Sequence, residues 1–172
     1  MKLYRAKVPL IAHDIVDGLV RDGDIDVEPA DRAEAEKDFV AIMDEHLRRD
    51  GEMRDRIRDE MAALNVPYNE FGKNRKRIAE EMGHPVGDEV ERFLARQFIE
   101  NMLISRFVGE VYTDDKLLFK KIMTALRAHD VDERQIREEA EARVKNVREG
   151  TVEYEIALQA AIKDVKKRRG LI

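Results

Sequence analysis

Apolar side chains recur at the spacing of an α-helix through most of the chain, and this pattern constrains the fold more than any other feature. Phe39, Met43 and Leu47, for example, are four residues apart and share one helix face. The chain is also 40% charged, with few glycines and prolines, which is typical of helices with solvated outer faces. No alternating run typical of a strand is present. The sequence therefore predicts an all-α fold, an elongated bundle of about six to eight helices.

The most apolar part of the sequence is the segment 88–112, which is predicted to form a single central helix. A helix that is apolar around more than half of its circumference belongs at the centre of a bundle. We therefore expect residues 93–112 to be the spine of the fold. The apolar residues of this segment are Val90, Phe93, Leu94, Phe98, Ile99, Met102, Leu103, Phe107, Val108 and Val111.

The two halves of the chain differ in charge. Residues 1–90 carry 15 basic and 22 acidic side chains, whereas residues 91–172 carry 17 basic and 15 acidic ones. Such an imbalance allows the halves to attract each other or to contact different partners. The sequence is read either as an acidic first helical half, 1–90, and a slightly basic second half, 91–172, or as one continuous domain.

The two halves also show weak internal similarity. Residues 40–63 resemble residues 119–142, for example at Ile57 and Ile136. Nearer the ends, Gly18 matches Gly109 and Arg77 matches Arg168. A duplication explains these matches, and so does the general resemblance between amphipathic helices. Both explanations stay open at the level of the sequence.

The sequence lacks the residues that several kinds of catalytic chemistry require. There is no cysteine, and the only serine, Ser105, lies in a helical pattern rather than on a glycine-flanked turn. Gly72 and Lys73 are not part of a phosphate-binding loop, because Pro67 stands where the loop requires its first glycine. We therefore predict no catalytic residue, no cofactor and no small-molecule substrate, and expect a protein that is not an enzyme.

Nothing in the sequence indicates a membrane protein. No window approaches the roughly 20 consecutive apolar residues that a membrane-spanning helix needs. The apolar stretch after the basic start, residues 8–12, is short, and Asp14 follows it without a cleavage site for a signal peptase. The expected location is the cytoplasm.

Two acidic patterns resemble metal sites and fail on inspection. Residues 22–26 place carboxylates at alternate positions, as in a calcium-binding loop, but Val27 and Ala33 replace the glycine and the glutamate that such a loop requires. Glu81 and His84 have the spacing found in di-metal helical bundles, but no second pair of this kind exists. We therefore predict no metal site.

Two basic clusters are the strongest candidates for a binding surface. Cations near the end of a helix also stabilise its dipole, so a purely structural role explains part of the pattern. In the end-to-end matching of the two halves, the clusters fall at corresponding places. The candidate residues are Lys73, Arg75, Lys76 and Arg77 in the first cluster and Lys166, Lys167, Arg168 and Arg169 in the second.

The leading interpretation is a non-enzymatic helical interaction module. It would bind a protein partner, or a second copy of itself, through charged helix faces. The alternative is RNA or ribosome binding through the basic clusters at 73–77 and 163–169, since phosphate contacts supply most of the affinity for nucleic acids.

The start of the chain resembles an uncharacterised bacterial family, domain of unknown function five-hundred-and-seven. The resemblance lies in the opening residues 2–9, in the pairs Ile11-Ala12 and Ile15-Val16 that follow, and in the acidic turn 23–27. The helical, charge-rich composition extends it over nearly the whole chain. It implies a helical protein and provides no catalytic residues.

Overall fold

Seven α-helices and one short 3-10 helix form the computed structural model, which describes residues 1–65 and 70–172. The predicted all-α bundle is confirmed. None of the described helices is long and apolar enough to cross a bilayer. After the 3-10 helix Arg5–Lys7, the helices are α1 Val8–Arg21, α2 Arg32–Ala63, α3 Phe71–Met82, α4 Glu89–Ile104, α5 Asp115–Ala128, α6 Glu133–Arg143 and α7 Val152–Arg168.

Local sequence signals explain where several helices begin. Pro9 lies in the first turn of α1, where a missing backbone N–H costs nothing. The side chains of Asp114, Asp132 and Thr151 each accept hydrogen bonds from backbone N–H groups in the first turns of α5, α6 and α7. These polar caps mark where α5, α6 and α7 begin, which hydrophobic periodicity alone does not show.

The predicted central helix is shorter than the segment 88–112, and the prediction of a spine over residues 93–112 is wrong beyond Ile104. At Ser105 the backbone becomes extended, and the following residues pair with the loop after α1. Ile25 and Val111 form an antiparallel bridge, and the backbone N–H of Tyr112 donates to the carbonyl oxygen of Asp24 at 2.9 Å. The apolar residues Phe107, Val108 and Val111 are partly buried against the main core in this loop rather than in a helix.

The main hydrophobic core lies between α1, the first half of α2, α4 and α5. Phe39 of α2 and Phe98 of α4 stack at its centre, with ring centroids 4.4 Å apart. Leu94, Leu118 and Ile122 are fully buried beside them. Both halves of the sequence contribute to this core. Helix α4 lies within it, as predicted for the central helix.

Two smaller clusters extend from the main core. The second half of α2 packs against α3 through Met53, Ile57 and Ile78. Helix α6 packs against α7, and this contact buries Leu158 and Val165. Each predicted basic cluster therefore lies on a different helix pair.

Two features of the first half of the chain recur in the second half. Helices α1 and α4 each lead into one side of the Ile25–Val111 bridge, and each half ends in a helix closed by a left-handed glycine, Gly83 after α3 and Gly170 after α7. In both turns the N–H of the residue after the glycine donates to a carbonyl oxygen in the last turn of the helix, at 2.9 Å for His84 and 3.0 Å for Leu171.

This matching of the two terminal turns changes the alignment inferred from the sequence. When Gly83 is placed opposite Gly170, Lys76 falls opposite Lys163, and Arg77 no longer matches Arg168. In this register the two basic clusters do not match residue for residue, and the correspondence inferred from the sequence stays a prediction.

Candidate functional site

The first predicted basic cluster is largely neutralised by neighbouring carboxylates. Lys73 lies 3.0 Å from Glu70, Arg75 lies 3.9 Å from Asp50, and Arg77 is bound between Glu60 and Glu81. Hydrogen bonds from Arg77 and Arg56 hold the pKa of the Glu60 carboxyl below its usual range. The exception is Lys76, which has no carboxylate within 4 Å among the described residues. It lines a groove between α3 and α4.

The second predicted cluster, on α7, is also largely paired. The shortest N–O distances are 3.2 Å for Lys166 with Glu133, 3.0 Å for Arg168 with Asp164 and 2.9 Å for Arg169 with Glu139. Lys166 also lies over the ring of Tyr4, at 5.4 Å from its centroid. Only Lys167 lacks such a carboxylate neighbour in the part of the chain that the structure describes. Most of the predicted site residues therefore stabilise contacts within the chain.

A groove between α4 and α5, of about 450 Å³, is lined by cations that the sequence analysis did not select. Arg92 and Arg96 come from α4, and Lys120 and Arg127 come from α5. Of the four, only Arg127 is paired within the described residues, through its Nε, 3.0 Å from Glu91. No carboxylate is among the lining residues, which are completed by Phe119, Met123 and Thr124.

A second and larger groove, of about 700 Å³, lies between α3 and α4 and adjoins the first. Arg92 and Arg96 line both grooves, and Lys76 lies on the α3 side of the second. Glu80 and Glu89 also line this groove, so its charge is mixed. We call the two grooves together the cationic face and define it by Lys76, Arg92, Arg96, Lys120 and Arg127.

A polar cavity of about 390 Å³ lies on the other side of α4, against α2. His84 and Phe93 line both this cavity and the α3–α4 groove, so the spaces adjoin. The imidazole of His46 stacks on that of His84, with centroids 4.7 Å apart. Burial and the neighbouring His84 lower the pKa of His46 to about 4, so His46 is neutral at neutral pH. We call this space the histidine cavity.

Four buried polar atoms of the histidine cavity have no hydrogen-bond partner within residues 1–65 and 70–172. They are Nδ1 of His46, both ring nitrogens of His84 and Oδ1 of Asn101. His84 is completely buried, and its Nε2 lies 3.6 Å from Asp50, beyond hydrogen-bonding distance. Buried polar groups are almost always hydrogen-bonded, so four unpaired atoms around one cavity are an unusual feature of this fold.

The acidic loop 22–26 serves the fold. Asp24 is buried, and its carboxylate accepts hydrogen bonds from Lys121 at 2.6 Å and Thr113 at 2.7 Å. Although burial opposes its charged form, these hydrogen bonds hold the pKa of Asp24 below its usual value. Across the described ranges, no group of three or more His, Asp or Glu residues is placed to hold a metal ion.

The cationic face was missed because its members are scattered in the sequence. Arg92 and Arg96 are four residues apart, between the apolar positions of α4, which was the one signal available. Lys120 and Lys76 join them only through the packing of α5 and α3 on α4. A count of adjacent basic residues selects the clusters at 73–77 and 163–169 and passes over this surface.

Fold and surface together define an all-α helical bundle with adjoining cationic grooves and a polar cavity. The chain belongs to the family described as protein of unknown function (DUF507), whose sequence model matches residues 1–171. The resemblance seen in the first residues thus extends over nearly the whole chain. A search of curated proteins found no match.

Proposed function

We propose that this protein is a non-enzymatic binding module for single-stranded RNA, which it contacts through the cationic face. The observation that carries the proposal is the α4–α5 groove, where four cations converge with no carboxylate among the lining residues. Phosphate contacts supply most of the affinity of proteins for nucleic acids. Of the alternatives that the sequence leaves open, RNA binding has the more specific support, at a site that shares only Lys76 with the predicted clusters.

The state of the arginines supports phosphate binding. Arg92 and Arg96 are exposed and have no ion-pair partner in the described part of the chain, so a phosphate does not have to displace a carboxylate. Arginine presents a planar fork of donors that matches two phosphate oxygens. By contrast, Arg77 would have to leave Glu60 and Glu81.

Aromatic side chains beside the cations support a single strand over a duplex. Phe119 lies in the α4–α5 groove and Phe93 in the α3–α4 groove, and both are half-buried. Proteins that bind single strands without strong sequence preference combine a positively charged groove with aromatic rings on which bases stack. Neither predicted basic cluster has such rings within its own sequence.

The test is the salt dependence of RNA binding by the full chain and by the double variant Arg92→Gln/Arg96→Gln. Fluorescence anisotropy with a labelled single-stranded RNA, between about 50 and 200 mM salt, gives the slope of log K against log salt. We expect the double variant to bind at least tenfold more weakly and to reduce the steepness of that slope by about 1.4, the value for two lost phosphate contacts on a single strand.

A matched control is the double variant Lys163→Gln/Lys167→Gln on α7. It removes the same charge at the same helical spacing from residues that have no carboxylate within 4 Å among those described. We expect it to bind RNA within about twofold of the unmodified chain. Absence of RNA binding by the unmodified chain, or an equal loss in the two double variants, would contradict the proposal.

A second candidate is a protein partner, as the leading interpretation of the sequence proposes. It is favoured by a groove of about 400 Å³ between α1 and α5, where the small residues Gly18 and Ala125 lie beside Leu19 and the exposed Leu117, with charged side chains such as Lys121 also in the lining. Light scattering on the unmodified chain and on Leu117→Lys tests self-association there. A mass that stays monomeric in both, together with capture of no partner, would count against it.

A further inference from the structure

We infer that the histidine cavity is a base-binding pocket, which receives one unstacked base of an RNA strand whose phosphates lie on the cationic face. This inference rests on the proposed function and adds a specific contact to it. It starts from the lining residues that the three neighbouring spaces share. Arg92 and Arg96 line both grooves, and His84 and Phe93 line both the α3–α4 groove and the histidine cavity.

The walls of the cavity suit a flat, heteroaromatic group. The stacked imidazoles of His46 and His84 lie on one side, and the Phe93 ring is 6.1 Å from that of His46. Ile42 and Ala41 add apolar surface. The volume of about 390 Å³ lies within the range of pockets that hold small organic molecules.

The polar atoms of the cavity suit the edge of a base. Asn101 Oδ1 is an acceptor without a donor, and the neutral imidazole of His46 is able either to donate or to accept at Nδ1. Gln97 and Arg49 also line the cavity, and each already donates one hydrogen bond, to Glu100 and to the carbonyl oxygen of Met82 respectively. Amide side chains recognise the edges of unstacked RNA bases through such paired donors and acceptors.

Charge separates this assignment from that of a purely anionic ligand. Asp38 and Glu45 line the cavity, so a phosphate placed inside would lie near two carboxylates. The cationic face outside suits a phosphate far better. We therefore place the base inside the histidine cavity and the phosphates on the cationic face outside it.

The experiment compares a short single-stranded RNA with an RNA of the same length that lacks its bases. For the unmodified chain we expect the intact RNA to bind about tenfold more tightly, the contribution of one stacked base. The Asn101→Leu and Phe93→Leu variants should lose most of this preference. Because Asn101 Oδ1 has no partner, its removal leaves no hydrogen bond broken, so Asn101→Leu should fold normally.

Imidazole NMR signals provide a readout that does not depend on affinity. The ring resonances of His46 and His84 should shift when the intact RNA is added and stay in place with the base-free RNA. Equal binding of the two RNAs, with unchanged histidine signals, would overturn the base pocket and leave the cationic face standing as a backbone site. Absence of binding by both RNAs would overturn the proposed function and this inference together.

Discussion

His46 and His84 stack face to face in the interior, with ring centroids 4.7 Å apart and an angle of 21° between the ring planes. His46 lies on α2 and His84 in the turn after α3, so this contact packs the end of α3 against α2. Each residue is less than a tenth exposed. At this buried position the charged form of His46 is disfavoured, first by desolvation and then by the neighbouring His84.

Acid should therefore weaken the fold through His46. Burial, then repulsion from His84, lowers the pKa of His46 to about 4, and Asp50 only partly offsets the effect. The unfolded chain takes up this proton near pH 6.5. The stabilisation is thus complete above pH 6.5 and is lost as the pH falls toward 4, by about 2 kcal/mol. Urea unfolding at both ends of this range measures it.

The variant His46→Phe isolates this term, because it keeps a flat apolar ring and removes the titration. We expect its free energy of unfolding to fall by less than that of the unmodified chain over the same pH range. His13 provides a control of opposite sign, since its hydrogen bond to the Glu36 carboxylate raises its pKa at an exposed site. If His46→Phe and the unmodified chain lose stability equally, the buried pair is not the cause.

Asp24 should be the carboxylate on which the fold depends most. It is only 4% exposed, and Lys121 and Thr113 bond to its side chain while its backbone oxygen accepts from Tyr112. Asp24→Asn removes the charge and leaves Lys121 without its closest partner. We expect a loss of about 2 kcal/mol in the free energy of unfolding at neutral pH, measured by urea denaturation.

Asp22→Asn is the matched control for this prediction. Asp22 contacts the same lysine, at 3.1 Å, from a more exposed position. Exposed ion pairs contribute roughly 0–1 kcal/mol, so the cost of this substitution should stay below that of Asp24→Asn. A larger effect at Asp22 than at Asp24 would show that burial of the carboxylate is not what matters.

Local patterns in the sequence were sufficient for the helices but not for the path of the chain after α4. The apolar residues Phe107, Val108 and Val111 continue the pattern of α4, and periodicity alone cannot distinguish a helix from a buried extended segment. The extended path of this segment depends on the bridge between Val111 and Ile25, and Ile25 is distant in the sequence.

The candidate site was harder to predict than the fold, for an electrostatic reason. A basic residue is available to a ligand only if no carboxylate of the chain holds it, and most of the carboxylates that hold the predicted clusters come from other helices. Glu60 of α2 reaches Arg77 of α3, and Glu133 of α6 reaches Lys166 of α7. Such pairings follow from tertiary packing, which a single sequence does not show.

Arg77 offers a direct test of this reasoning. Since Glu60 and Glu81 already bind it, Arg77→Gln should change RNA affinity by less than about twofold, whereas Arg92→Gln alone should weaken binding several-fold. Both substitutions remove one charge from an exposed arginine. Anisotropy titrations of the two variants at one salt concentration make the comparison, and an equal loss would place the contacts on α3 after all.

The segments 1–90 and 91–172, proposed from the sequence as two halves, should fold only together. The central contact of the main core, Phe39 on Phe98, joins one segment to the other, and so does the Ile25–Val111 bridge. Either segment alone would expose the apolar faces that meet in this core, at a cost of about 25 cal/mol for each Å². We therefore expect each isolated segment to show little cooperative unfolding by circular dichroism, and an equimolar mixture to regain helicity. A cooperative thermal transition of one segment alone would instead identify it as an independent domain.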